Sequence, residues 1–421
     1  MQAAVFEVSS TAPRIEVTPQ QEVQFRRKRL IHFVALCWCH FIEGSNDGST
    51  GTLLPAIQRA YHIGFSIVAL LFVSNCIGFI TGAILNVYMN EKLGFGKIIV
   101  MGAISQLIGY IIIAPSPPFP VMVVGFGFIG FGFSFQNAQA NGFVASLKDS
   151  MTTKLGIMHA AYGLGAFLSP FLATYFSTQP HWSFHYIVLA SIATSNVVVM
   201  ILVFRFRKQE DILAEGGQYA IESNNNVTPD SNLYRQILGF RSVHFLTLFS
   251  LIYTGVEVTL GGWIVTFIIE KRGGGHSAGY ISSGFFGGIT LGRICLMWLN
   301  KLVGERIIFF YVVLAMILEI TIWFVPSIIG NAVAISFIGM LLGPMFPTLI
   351  SHMTHILPKR LLTGSVGFVT GIGFSGSAIL PFITGILASK YGIGSLQPLM
   401  VSMMSVMVVL WAFAKGVRRV D

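Results

Sequence analysis

Apolar residues run along this chain in long blocks, broken by short polar stretches. Twelve blocks stand out, at about 30–57, 64–89, 97–114, 119–146, 154–177, 184–206, 240–268, 278–299, 307–325, 330–356, 362–388 and 393–414. A bilayer's hydrocarbon core is crossed by ~20 mostly apolar helical residues, so each block is long enough to span one. The blocks are too long for strands and lack two-residue alternation, which leaves helices. The pattern predicts an all-α polytopic membrane protein with twelve transmembrane helices.

The longest polar gap, 207–239, is rich in Asn, Ser, Gly and charge, and cuts the spans into six and six. The expected organisation is a tail at 1–29, a six-helix bundle at 30–206, a linker at 207–239 and a second bundle at 240–421. The linker reads as disordered, and its sequon at Asn226 falls on the side where glycosylation is not expected. The tail has no apolar core before a small-residue cleavage site, so it does not read as a cleaved signal.

Composition agrees with the pattern. Of 421 residues 54% are hydrophobic and 10% charged, with a mean hydropathy of +0.73; a water-soluble core could not hide so much apolar surface. The net charge of +9 does not indicate a nucleic-acid partner, because the cations sit in short loops. Arg26 to Arg29, Lys92, Lys97, Lys148, Arg205, Arg207, Lys301, Arg306 and Lys415 all fall on alternate loops, against few on the opposite side. That asymmetry predicts cytoplasmic termini, and a plasma-membrane location is expected. Cys37, Cys39, Cys76 and Cys295 lie in apolar runs without metal-ligand spacing, so neither disulfides nor a metal are expected. No cofactor is implied, and a monomer is expected.

The two halves repeat. Gly78, Gly82, Asn90 and Gly94 recur as Gly288, Gly292, Asn300 and Gly304, each displaced by 210 positions, and the same shift carries Asp47 onto Glu257 and Gly51 onto Gly261. Two parallel repeats of this kind place a solute site between the halves near mid-membrane.

Candidate chemistry begins in "HFIEGSNDGSTGTLLP" (40–55). His40, Glu43 and Asp47 fall at i, i+3 and i+7, on one helical stripe. A charged group facing lipid costs ~2.5–3.5 kcal/mol on the lenient insertion scale, so the stripe should face the interior. Glu43, Asp47 and the counterpart Glu257 are candidate proton carriers, with His40 a possible relay. Asn137 and Asn141, flanked by Gln136 and Gln139, are candidates for reading solute hydroxyls; so are His159 and Tyr162, while Trp263 could stack on a sugar ring. Each has a plainer alternative as a helix-helix contact. Arg293, inside the eighth span, needs an acid or carbonyl partner. "GFGFIG" (125–130) has nucleotide-loop spacing but lies inside a span, and His352 and His355 lack a metal-binding arrangement.

The segments "YTGVEVTLGGWIVTF" (253–267), "HAAYGLGAFLSP" (159–170), "SFQNAQANGF" (134–143), "LLGPMFPT" (341–348) and "NEKLGFGK" (90–97) resemble the major facilitator superfamily, in its fucose-permease-like branch of proton symporters and their fungal relatives. The resemblance implies two pseudo-symmetric six-helix bundles, alternating access, a monosaccharide or amino-sugar cargo and proton coupling. It also implies a gating role for Glu91, Lys92 and Lys97, which match the family's loop element, and for Arg293 in a network at the cytoplasmic side. The sugar permeases place a Glu where this chain has Asn137. The expected function is secondary transport of a small organic solute across the bilayer, with protons as partner; the alternatives are an exporter of a biosynthetic product and, more remotely, a non-transporting nutrient sensor. An enzyme is not expected, since no nucleophile-base pair or metal constellation converges.

Overall fold

The computed structural model describes residues 18–147, 151–218, 233–304 and 306–415. Arg14, Lys148, the Asn226 sequon, Arg418 and Arg419 lie outside the described residues. Within them the regular structure is helical: α1 (Pro19–Tyr61), α2 (Phe65–Val68), α3 (Leu70–Leu93), α4 (Phe95–Ile113), α5 (Phe119–Ala145), α6 (Met151–Ser177), α7 (Phe184–Phe204), α8 (Gln209–Glu215), α9 (Leu233–Gly239), α10 (Arg241–Arg272), α11 (Tyr280–Val303), α12 (Ile307–Phe324), α13 (Ile328–Leu342), α14 (Met345–Ile356), α15 (Lys359–Tyr391) and α16 (Leu396–Lys415). Ten helical segments among the described residues are long and apolar enough to cross a membrane, counting α2 with α3 and α13 with α14 as one each. The two further long helices, α1 and α11, carry Glu43 with Asp47, and Arg293.

The structure departs from the sequence expectation in three ways. α1 begins eleven positions before its apolar block because Thr18 caps it: the Thr18 hydroxyl accepts from the Gln21 amide, the Gln21 side chain accepts from the Thr18 amide, and Pro19 opens the first turn. Residues 209–215 and 233–239 of the expected disordered linker are helical. The spans at 64–89 and 330–356 are each broken, at Ala69 and at Gly343–Pro344, where proline cannot donate to the helical ladder.

The N-terminal end of α1 is held by the linker. Glu215 on α8 receives Lys28 at 2.7 Å and Arg207 at 2.7 Å, and Arg29 donates to the Gly216 carbonyl at 3.0 Å. Partial burial opposes the Glu215 charge, but the hydrogen bonds and charges of Lys28 and Arg207 outweigh it and hold its carboxyl down at about 2.

The repeat is visible in the packing. A Cβ on Gly78 would stand 2.0 Å from the Gly127 carbonyl oxygen, and one on Gly288 2.0 Å from that of Ser336, so α3 on α5 and α11 on α13 make the same close approach. Gly94 and Gly304 take matching turns at φ 77° and 80°, which favour glycine.

Between the first-half helices (α1 to α7) and the second-half helices (α10 to α16), α1 packs on α10, α6 on α11, and α2 and α3 on α15. The tight approaches cluster at the end away from the chain termini. A Gly51 Cβ would stand 2.0 Å from the Gly261 oxygen, and the Ser66 amide donates to Ser389 Oγ at 2.9 Å. At the terminal end, a Cβ on Gly156 of α6 or on Gly367 or Gly371 of α15 would meet nothing within 4 Å among the described residues. The bundle is pinched at its distal end and looser at its terminal end.

Candidate functional site

Helix α1 turns its polar stripe inward because the positions around it are small. Gly44 and Gly48 lie against the α6 backbone at Tyr162 and Ala166, which brings the two helices close enough for side chains to pair. Tyr162 Oη donates to Asp47 Oδ2 at 2.8 Å, and the neighbouring Asn46 amide donates to Oδ1 at 3.2 Å. One turn toward the terminal end, the Asn137 amide donates to both oxygens of Glu43, at 3.1 and 3.3 Å. Asn141 donates in turn to Asn137 Oδ1 at 2.6 Å. His40, a turn further, holds the Leu36 carbonyl through Nδ1 at 3.2 Å and meets His159 edge to face at 5.8 Å.

The second half supplies Glu257 on α10, whose Oε1 lies 3.5 Å from Arg293 Nη2 on α11. Asp47, Tyr162 and Glu257 line one cavity of about 80 Å³, with Thr50, Asn75 and Ser377 as its neutral polar groups. Phe72, Phe126, Phe286 and Phe374 form the aromatic part of the wall. Phe374 stacks on Phe79 across the halves with ring centroids 3.7 Å apart. The arrangement can hold a small solute among acids drawn from both halves, and it gives each acid a different neutral or charged neighbour.

Not every expected site residue comes to this chamber. Trp263 is fully buried, donates its indole N–H to the Pro381 carbonyl at 3.1 Å and packs on Phe65 and Phe72, so its ring faces neighbouring side chains and not the cavity. Gln136 accepts from Gln106 at 2.7 Å and from Asn196 at 3.1 Å, tying α5 to α4 and α7. Gln139 donates to Asn86 on α3 at 2.8 Å. For these three the interhelical alternative describes the geometry. Arg293 pairs with Glu257 in mid-bundle, apart from the loop residues grouped with it: Glu91, Lys92 and Lys97 are exposed, and Lys92 donates to the Tyr88 hydroxyl.

One acid escaped the sequence reading. Glu319 on α12 is fully buried, and neither carboxylate oxygen has a hydrogen-bond partner among the described residues. An acid inside an apolar block was the available signal. It contributes nothing to the cavity wall, and α12 packs chiefly on α13 and α16.

Comparison with known proteins agrees with the helical architecture. The chain is 24% identical over 416 residues to Bypass of stop codon protein 6 of Saccharomyces cerevisiae, covering 91% of this chain and 83% of that one. Its fold is similar to that of the Escherichia coli fucose:proton symporter, with a TM-score of 0.64, 18% identity and coverage of 92% of this chain and 99% of that one. It is also similar to a bacterial homologue of the human lysosomal transporter Spinster, at TM-score 0.73, 12% identity and coverage of 92% and 96%. The nucleoside transporter NupG gives TM-score 0.72 at 11% identity, covering 91% of this chain and 99% of that one. The sequence profile of the Major Facilitator Superfamily matches residues 36–381, and the chain belongs to that superfamily.

Proposed function

We propose that this protein is a secondary carrier that moves a small organic solute across a membrane by alternating access, with proton movement coupled through Asp47, Glu43 and Glu257. The observation that carries the reading is that Asp47 from one half and Glu257 from the other line the same cavity. Acids at membrane depth are costly unless they serve a polar pathway, and a site shared by two repeats is where rocking changes access. The pinch at the distal end, with looser packing at the terminal end, fits one of the two access states.

Both termini are cytoplasmic in this reading, supported by the loop cations, and a plasma-membrane position is its simplest setting. His40 and His159 would pass protons between the terminal end and Glu43. The fucose:proton symporter among the similar folds supports proton coupling in principle, but the family's acid is replaced by Asn137, which here serves Glu43. The phenylalanine wall favours a cargo that carries apolar surface over a free sugar, which suits the second reading, export of a biosynthetic product. Proteoliposome uptake with and without an imposed pH gradient tests the coupling. Solute flux should follow the gradient; flux indifferent to it would remove proton coupling.

A further inference from the structure

Two carboxyls line the chamber, and among its described lining residues there is no lysine or arginine. Arg293 stands 3.5 Å from Glu257 and answers that charge. Asp47 has only neutral donors, the Tyr162 hydroxyl and the Asn46 amide. Its charge is therefore left for something else to balance. The cavity that Asp47 lines is also walled by the phenylalanine rings at 72, 126, 286 and 374. The face of an aromatic ring attracts a cation within about 6 Å, most strongly where water is excluded. A carboxylate without a cationic partner in an aromatic-walled cavity is recognition chemistry for an ammonium group.

Resting on the carrier reading above, we infer that the cargo is an organic cation, an amine or quaternary ammonium whose charged head sits at Asp47 within the phenylalanine wall. The space of about 80 Å³ suits a head group, and the rest of the solute enters by parting the Phe79–Phe374 stack. Proton and cargo exclude one another at Asp47. One positive charge replaces the other, so the cation moves one way while the proton moves the other, and no charge accumulates at the site.

The surrounding groups bear on that exchange. On α1 itself, Glu43 lies one turn away and His40 two. Helix α6 brings His159 and Tyr162, α10 brings Tyr253 and Glu257, α11 brings Arg293, and Tyr110 on α4 lies within electrostatic reach of Asp47. Of the three acids, only Glu257 pairs with the guanidinium of Arg293. His40 and His159 stand 5.8 Å apart, so charge on both is opposed by their mutual repulsion.

The test is binding of benzyltrimethylammonium to the purified full-length protein, beside its uncharged carbon isostere neopentylbenzene and the sugar fucose. The cation should bind at least about tenfold more tightly than the isostere. Its affinity should fall as pH is lowered, because a proton on Asp47 removes the charge that holds the cation. Asp47→Asn should cost about tenfold and Phe126→Leu a smaller factor, with elution volume and helical signal checked for each variant. Equal affinity for the isostere, failure of the cation to bind, or indifference to both pH and Asp47→Asn would overturn the proposal.

Proteoliposomes holding a pH dye separate this proposal from the carrier reading. Proton movement opposite to an imposed benzyltrimethylammonium gradient supports both. Proton movement driven by fucose and not by the cation keeps the carrier and removes the cationic cargo. If neither solute moves protons, proton coupling falls, and the binding series alone decides the cation site.

Discussion

Arg293 shows how partner choice sets the character of a buried charge. Removing the guanidinium leaves Glu257 in the bundle without its cation, and breaking such a pair costs more than the pair contributes. Arg293→Gln is expected to destabilise the protein by at most about 3 kcal/mol, since the pair keeps some solvent access. Glu257→Gln added to it should restore part of that loss, and thermal unfolding in detergent measures both. Trp263→Phe makes the opposite point. It removes the hydrogen bond to Pro381 and part of a fully buried ring and should cost about 2 kcal/mol of stability while leaving cargo affinity unchanged; a tenfold loss of affinity would return the indole to the binding site. The stripe of His40, Glu43 and Asp47 was legible because three positions on one helix share a face whatever the fold. Their partners were not. Asn137 lies 94 positions from Glu43 and Tyr162 lies 115 from Asp47, and which side chains meet depends on the rotation and depth of whole helices.

Helices were the most legible level. The number of long apolar blocks carried over because a bilayer sets one length for all of them. Ends and breaks carried over less well: the start of α1 rests on the Thr18–Gln21 capping pair, and the break before α14 on Gly343–Pro344, both of which leave marks too short to outweigh hydropathy. The clasp between α1 and α8 has a definite pH dependence. A carboxyl held near 2 against an ordinary 4.5 adds stability that is complete above the ordinary value and is lost as pH falls toward 2. Proteolysis of residues 209–218 should therefore stay slow at neutral pH and quicken below about pH 4, whereas Glu215→Gln should quicken it at neutral pH. The Gly51–Gly261 contact has a steric dependence. Gly51→Val puts side-chain carbon into the Gly261 backbone, so the distal pinch cannot form. A cysteine introduced at Gly371 in a background without the native cysteines should then label more slowly than in the parent; equal labelling would detach the pinch from access at the terminal end.

At the scale of the whole molecule, residues 210 positions apart do the same work. Gly78 and Gly288 seat equivalent helix pairs, Asp47 and Glu257 face one cavity, and Gly51 and Gly261 touch each other. A contact between two symmetry mates lies close to the axis that relates them, which makes it a natural fulcrum. It is not placed centrally along α1. Ten residues separate Gly51 from Tyr61, and twenty-one separate it from Leu30, so at ~1.5 Å per residue the arms are roughly 15 and 30 Å long. A rigid lever with those arms doubles displacement. Prising the distal lips apart by roughly 3 Å would swing the opposite mouth through roughly 6 Å, and spin-label distances taken at both ends would read the ratio directly.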